Sequence, residues 1–265
     1  YDAINEKGLA IIAGTGSNCT KNAIEMSKYA ESVGADAVLL VTPYYNKTTQ
    51  KGLVAHYKAI SSEIKIPIIL YNVPSRTGVN ILPKTCLELS KLDNIVAIKE
   101  ASGNISQVAE IANLCKDNLA IYSGNDDQIL PVLSVGGIGV VSVLSNIIPR
   151  DVHDMVYNFL NGNIKTAIEL QLNTLDLTSC LFSEVNPIPI KYALNIKGYN
   201  YGIPRLPLIE LSEKKSATAM ATFTISCPLA SMLLADSTVN GRMSDETREK
   251  LIQEMKKYGL IEVKK

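Results

Sequence analysis

The chain is poor in the residues that build metal and disulfide sites. It holds two histidines, His56 and His153, far apart, and five scattered cysteines: Cys19, Cys86, Cys115, Cys180 and Cys227. No two cysteines form a CxxC pair, and no clustered ligands of the kind a zinc site needs are present. The expectation is reduced thiols in a cytoplasmic protein and no bound metal. Charge of one sign is also missing. Lys plus Arg is 26 and Asp plus Glu is 26, so no global field favours nucleic acid or an acidic membrane. Residues 1–8 are polar and lack the apolar stretch of a secretory signal. No run of about 18 apolar residues occurs, so no spanning helix is expected. The nearest stretch, 217–235, carries several Ser and Thr and is broken by Pro228. Gly14-Thr15-Gly16 suggests a phosphate turn, but the third glycine of GxGxxG and the P-loop lysine are both absent. No nucleotide is expected.

What is present is a globular composition, 46% hydrophobic and 20% charged. Apolar, β-branched runs at 9–14, 37–42, 66–71, 94–99, 119–123 and 139–143 alternate with helical patterns. The runs are continuous rather than alternating, as in strands of a parallel sheet buried on both faces. The helical patterns cover 20–33, 48–64, 83–92, 106–115 and 126–135, with Gly34 stopping the first and Pro83 starting the third. Repeated βα units imply a parallel sheet with right-handed crossovers. Six units fit either an open doubly wound sheet or part of an eight-stranded barrel. From 149 on the strand signal fades. Helices are expected over 151–160 and 164–182, an interruption at Pro187 and Pro189, resumption over 190–196, and a last helix over 244–258 capped by Ser244 and stopped by Gly259. Residues 216–242, rich in small and hydroxyl side chains, do not match their surroundings; they read as an insertion or loop, or, over 221–226, as a strand added to a sheet edge.

Functional groups of parallel α/β proteins gather at the carboxyl ends of strands. There the outlier is Lys99, which follows the apolar wall Ile95-Val96-Ala97-Ile98. Burial disfavours the ammonium form, and a neutral amine can form an imine with a ketone. The alternative is a lysine that reaches solvent or pairs with Glu100. Tyr71, ending one strand, and Tyr45, in the loop after another, sit at comparable depths, where a phenol can relay a proton or merely pack. Arg76, five residues after Tyr71, can hold a carboxylate bidentately or form a surface ion pair.

The segments AGTGSN, VTPYYNK, YNVPSRTG, IKEASGN, YSGNDDQ, GGIGVVSV, NPIPIK and RLPL, in this order, resemble the dihydrodipicolinate synthase family of pyruvate-dependent class I lyases. The resemblance runs from about residue 8 to 213 and returns for the last helix. It implies a TIM-type (β/α)8 barrel, here incomplete, with strands 3 to 8 in residues 1–148 and a C-terminal helical region in 149–265. It implies that pyruvate forms an imine on Lys99 and then, as the enamine, attacks L-aspartate 4-semialdehyde to give 4-hydroxy-tetrahydrodipicolinate for lysine and diaminopimelate synthesis. By the same resemblance Tyr71 relays protons, Tyr45 reaches into a partner subunit's relay, Arg76 receives the aldehyde substrate's carboxylate, and Gly124 and Val141 line the pyruvate pocket. No metal or organic cofactor is required beyond the covalent imine, and a homodimer or homotetramer is implied, with no nucleic-acid or membrane partner.

Two departures stand out. The resemblance starts just before the family's third strand, so the Gly-Thr-Thr-Gly-Glu loop that holds the pyruvate carboxylate has no counterpart, and two sheet edges are expected to stay open. Segment 216–242 is the second. Asn18 and Tyr44 match positions of a lysine feedback site, while Asn22 stands where an acidic residue is common, so weak or absent lysine inhibition is expected. Two other functions remain open: a related aldolase with another aldehyde, and an impaired remnant acting only in binding or assembly.

Overall fold

The computed structural model describes residues 8–212. The expected features at 216–242 and 244–258 lie outside the described residues. Among the described residues two compact units are present: one runs to Ser142 and includes Val156–Asn163, the other comprises Val143–Met155 and the residues from Ile164 to Ser212.

The first unit is a six-stranded parallel sheet in sequence order: β1 (Ile12–Gly14), β2 (Ala37–Val41), β3 (Ile68–Asn72), β4 (Ile95–Glu100), β5 (Ala120–Ser123) and β6 (Gly139–Val140). Every neighbouring pair is parallel. Strict sequence order with no reversal is the path of a barrel wall, not of a doubly wound sheet, which changes direction at its switch point. The connections are α1 (Thr20–Ser32), α2 (Gln50–Ser61), the single turn α3 (Pro74–Thr77) followed by α4 (Pro83–Leu89), α5 (Ile105–Cys115) and α6 (Ile129–Ser134).

Register separates two rows of side chains. Leu40, Leu70, Ile98 and Ile121 are mutual partners, and all four are buried in the core that also holds Leu53, Tyr57 and Ile60 of α2 and Val108 and Ile111 of α5. Each contributes on the order of 2 kcal/mol by leaving water. One residue further along, the opposite face carries the row Val41, Tyr71, Lys99, Tyr122 and Gly139. Four of these side chains, from Val41 to Tyr122, are half-buried.

The differences from the sequence expectation have local causes. Burial on both faces does not hold for β1, where Ile12 is 48% exposed: it pairs on one side only. An apolar groove runs beside it, lined by Ile11, Ala13, Met26, Tyr29 and Val33. Gly16 serves close packing; a Cβ there would lie 2.5 Å from the backbone nitrogen of Val41.

The helix α7 (Pro149–Leu160) belongs to the second unit up to Met155 and to the first from Val156. The expected helix over 164–182 divides into α8 (Ile164–Asn173) and α9 (Leu175–Leu181). Thr174 lies at the break and donates its hydroxyl to the carbonyls of Leu170 and Gln171, a side-chain bond that competes with the helical one. The two prolines do not interrupt α10 (Ile188–Ile196). They stand at its start, where a missing N–H costs nothing. No helix among the described residues is long and apolar enough to cross a membrane.

Candidate active site at the carboxyl end of the sheet

Lys99 lies at the carboxyl end of β4, one residue before the strand closes. Ala97 and Ile98 before it are buried, so its stem begins in apolar surroundings. Its Nζ sits 4.2 Å from the centroid of the Tyr71 ring, its register partner on β3. Burial lowers its pKa from the ordinary 10.5, Asp126 pulls it back up, and Arg76 adds to the lowering. The amine is therefore available at lower pH than on a surface lysine. Tyr71 is shifted the other way: burial raises its phenol and Arg76 offsets part of the rise. At neutral pH it is a hydroxyl that can donate.

The alternation of a strand decides the fate of Glu100. It turns to the helix-covered face, where it is 2% exposed and accepts from Asn72 Nδ2 (2.9 Å), Gln107 Nε2 (3.3 Å) and the backbone N–H of Ser102 (2.6 Å). It is thereby turned away from Lys99, so the adjacent pair in sequence is not an ion pair in space.

Of the residues singled out in sequence, Lys99, Tyr71 and Gly124 are brought together. A Cβ on Gly124 would stand 3.1 Å from Lys99 Cε and 2.7 Å from Ala101 Cβ. Val141 continues the line of β6, its N–H donating to the carbonyl of Ser123 at 2.8 Å. Arg76 is an exposed residue of the turn α3, near enough for its charge to bear on both Lys99 and Tyr71. Tyr45 is not gathered in: it is 90% exposed on the loop after β2, with a left-handed φ of 69°.

Sequence reading passed over Asp126 and Tyr122. Asp126 is 1% exposed, whereas its neighbour Asp127 is exposed. Two adjacent acids after β5 were visible in sequence, but which one turns inward is set by the 3-10 turn Asp126–Gln128. Tyr122 pairs with Lys99 from the other side. Because Asp126 raises the lysine pKa, Asp126→Asn is expected to move the pH midpoint for Lys99 labelling by an amine reagent downward. Peptide-level mass spectrometry across a pH series checks this, and an upward shift would contradict it.

Among the described residues no group of three or more His, Cys, Asp and Glu could hold a metal. Cys19 is exposed, while Cys86, Cys115 and Cys180 are buried. Burial raises the thiol pKa of Cys86 and Cys115, and the effect is large at Cys86.

The fold and site define a class: an incomplete α/β barrel with a half-buried lysine presented at a strand's carboxyl end. The chain belongs to the Dihydrodipicolinate synthetase family, whose model matches residues 2–226. It is 65% identical over 204 residues to the 4-hydroxy-tetrahydrodipicolinate synthase of Caldicellulosiruptor saccharolyticus, covering 77% of this chain and 69% of that protein. The crystal structure of dihydrodipicolinate synthase from Thermotoga maritima is similar with a TM-score of 0.82 at 40% identity, over 83% of this chain and 76% of that one. The chloride-inhibited dihydrodipicolinate synthase from Acinetobacter baumannii, complexed with pyruvate, is similar with a TM-score of 0.78 at 37% identity, over 97% and 77% respectively.

Proposed function

We propose that this chain is a class I Schiff-base lyase that condenses pyruvate with L-aspartate 4-semialdehyde to 4-hydroxy-tetrahydrodipicolinate. The observation that carries the reading is the half-buried Lys99 amine, 4.2 Å above Tyr71 at the carboxyl end of the sheet, with its pKa lowered by burial. Family membership and the pyruvate complex of the Acinetobacter baumannii relative support the substrate class.

The chemistry follows from that amine. Lys99 Nζ attacks the pyruvate ketone carbon, and loss of water leaves an iminium. The iminium draws electrons from the methyl group, so a methyl proton departs and an enamine forms. The enamine carbon bonds to the aldehyde carbon, whose oxygen takes a proton. The amino group of the semialdehyde half then attacks the former ketone carbon, closing the ring and releasing Lys99. Tyr71 passes protons to and from the carbinolamine oxygen. Arg76 receives the carboxylate of the aldehyde substrate, and Gly124 and Val141 border the pyruvate. Tyr45, exposed on its loop, reaches a partner subunit in a homodimer or homotetramer. The reaction takes place in the cytoplasm and uses no cofactor.

Incubation with pyruvate and borohydride tests this. One reduced pyruvate adduct is expected by intact mass, mapping to the peptide that contains Lys99; a folded protein with no adduct, or an adduct elsewhere, would overturn the reading. Arg76→Ala is expected to raise the apparent KM for the aldehyde by roughly tenfold or more, the scale of a lost charge-assisted pair, while leaving the rate of pyruvate adduct formation within a few-fold. Steady-state kinetics against single-substrate trapping separates the two effects.

A further inference from the structure

Behind Lys99, on the helix-covered face, lies a chain of amide side chains whose donors end on Glu100; within it Asn80 and Gln107 pair reciprocally, Gln107 Nε2 donating back to Asn80 Oδ1 at 3.1 Å. The backbone N–H of Ile81 donates to Asn72 Oδ1 at 2.9 Å. That bond orients Asn72, because a backbone N–H can only donate. Asn72 Nδ2 then donates to Asn80 Oδ1 at 2.8 Å, and Asn80 Nδ2 to Gln107 Oε1 at 2.7 Å. Gln107 Nε2 and Asn72 Nδ2 both finish on Glu100 Oε2, and the Ser102 N–H finishes on Oε1. Three donors therefore converge on residue 100, and none of its partners accepts. Asn72, Glu100 and Gln107 are all buried, so an unmatched donor there has no water to turn to.

The network grips the site from behind. Asn72 follows Tyr71 and Glu100 follows Lys99, so the Asn72–Glu100 bond ties together the two strand ends that carry those groups. The backbone of Glu100 also accepts from the N–H of Gly124 at 2.8 Å, and Asn72 O accepts from the N–H of Ala101 at 2.8 Å. A Cβ built on Gly124 would meet both Ala101 Cβ and Lys99 Cε, so the two tied residues lie beside the lysine stem.

We propose that Glu100, as the acceptor at which the amide chain from Ile81 ends, is the positioning residue that holds Lys99 against Tyr71 and Gly124. Its role in the reaction rests on the lyase reading above; its role in placing Lys99 does not. The groups whose charge or polarity bears on Lys99 itself are Asp126, Arg76, Tyr71 and its other strand partner Tyr122, and none is altered in the test.

Glu100→Gln keeps the shape but sets an NH2 against at least one incoming N–H. The double variant Asn72→Asp with Glu100→Gln reverses the chain. In it the carboxylate at position 72 accepts from the Ile81 N–H, from the amide at position 100 and from a turned Asn80, while Gln107 turns to accept from position 100. Every donor again meets an acceptor. Two readouts follow: the rate of pyruvate–borohydride adduct formation on Lys99, and the pH midpoint of Lys99 reductive methylation by formaldehyde and borohydride. Glu100→Gln is expected to slow the adduct about tenfold, the scale of one buried unmatched donor, and to raise the methylation midpoint towards that of a surface lysine. The double variant is expected to restore both, with the rate within about threefold of the parent. A merely structural role would lower the melting temperature without moving the midpoint. If Glu100→Gln does not fold, Gln107→Leu, which takes one donor from Glu100, is read the same way. An unchanged midpoint in the single variant, or a double variant no better than the single, would overturn the proposal. Should the parent take no pyruvate adduct, the lyase reading fails, and the methylation arm still decides the placement of Lys99.

Discussion

Lys99→Met is expected to abolish the pyruvate adduct and to lower synthase activity by roughly a thousandfold or more, the scale on which loss of a covalent nucleophile acts. Methionine keeps the length and apolar stem of the lysine and removes only the amine. The packing of Ala97 and Ile98 is untouched, so the variant is expected to fold. It is expected to be more stable than the parent near neutral pH, because the parent holds an ammonium in a place where burial disfavours it. The sign follows from linkage. The folded-state pKa of Lys99 lies below the unfolded value of 10.5, so between the two the unfolded chain binds more protons and parent stability rises with pH. The advantage of the methionine variant is full below the folded pKa and shrinks as pH climbs towards 10.5. Chemical denaturation of both proteins across that range checks it. A methionine variant less stable than the parent at pH 7 would mean that the amine is held by favourable contacts, and the nucleophile reading would weaken accordingly.

Gly124→Val carries the second large effect. The added Cβ alone would stand 2.7 Å from Ala101 Cβ and 3.1 Å from Lys99 Cε, and the N–H of residue 124 is tied to Glu100 O. The backbone is held on the side where it would need to give. Overpacking of this kind costs about 1–3 kcal/mol, and a nucleophile displaced by about 1 Å loses on the order of a hundredfold in rate. The adduct rate is therefore expected to fall far more than stability does. Gly14 provides the control: a Cβ there meets nothing within 4 Å, so Gly14→Ala is expected to leave the rate unchanged. Comparable losses in the two variants, measured by trapping kinetics and thermal melts, would remove the steric argument.

The sequence by itself determined the strands and the lysine. Short continuous apolar runs between turn signals favour strands of a covered parallel sheet, with β1 left open on one side, and a lysine that ends such a run starts its side chain in an apolar wall. Both features are local, and both are legible because burial leaves a one-dimensional trace in composition. The motif order extended that trace to a family and to a barrel, which the six strands in sequence order and the family match bear out.

Tertiary structure alone decided which groups face the lysine. Tyr71 meets Lys99 because β3 and β4 pair in that register, with an irregularity between Ile68 and Ile69 that no residue count reveals. Glu100, the nearest acid in sequence, is turned to the opposite face by strand alternation, while Asp126, 27 positions beyond Lys99 in number, bears on its charge. The direction of the amide chain behind the site depends on one backbone N–H, that of Ile81. Side-chain identity was readable throughout; what the sequence could not encode locally was the pairing of strands, and it is pairing that places charge next to charge.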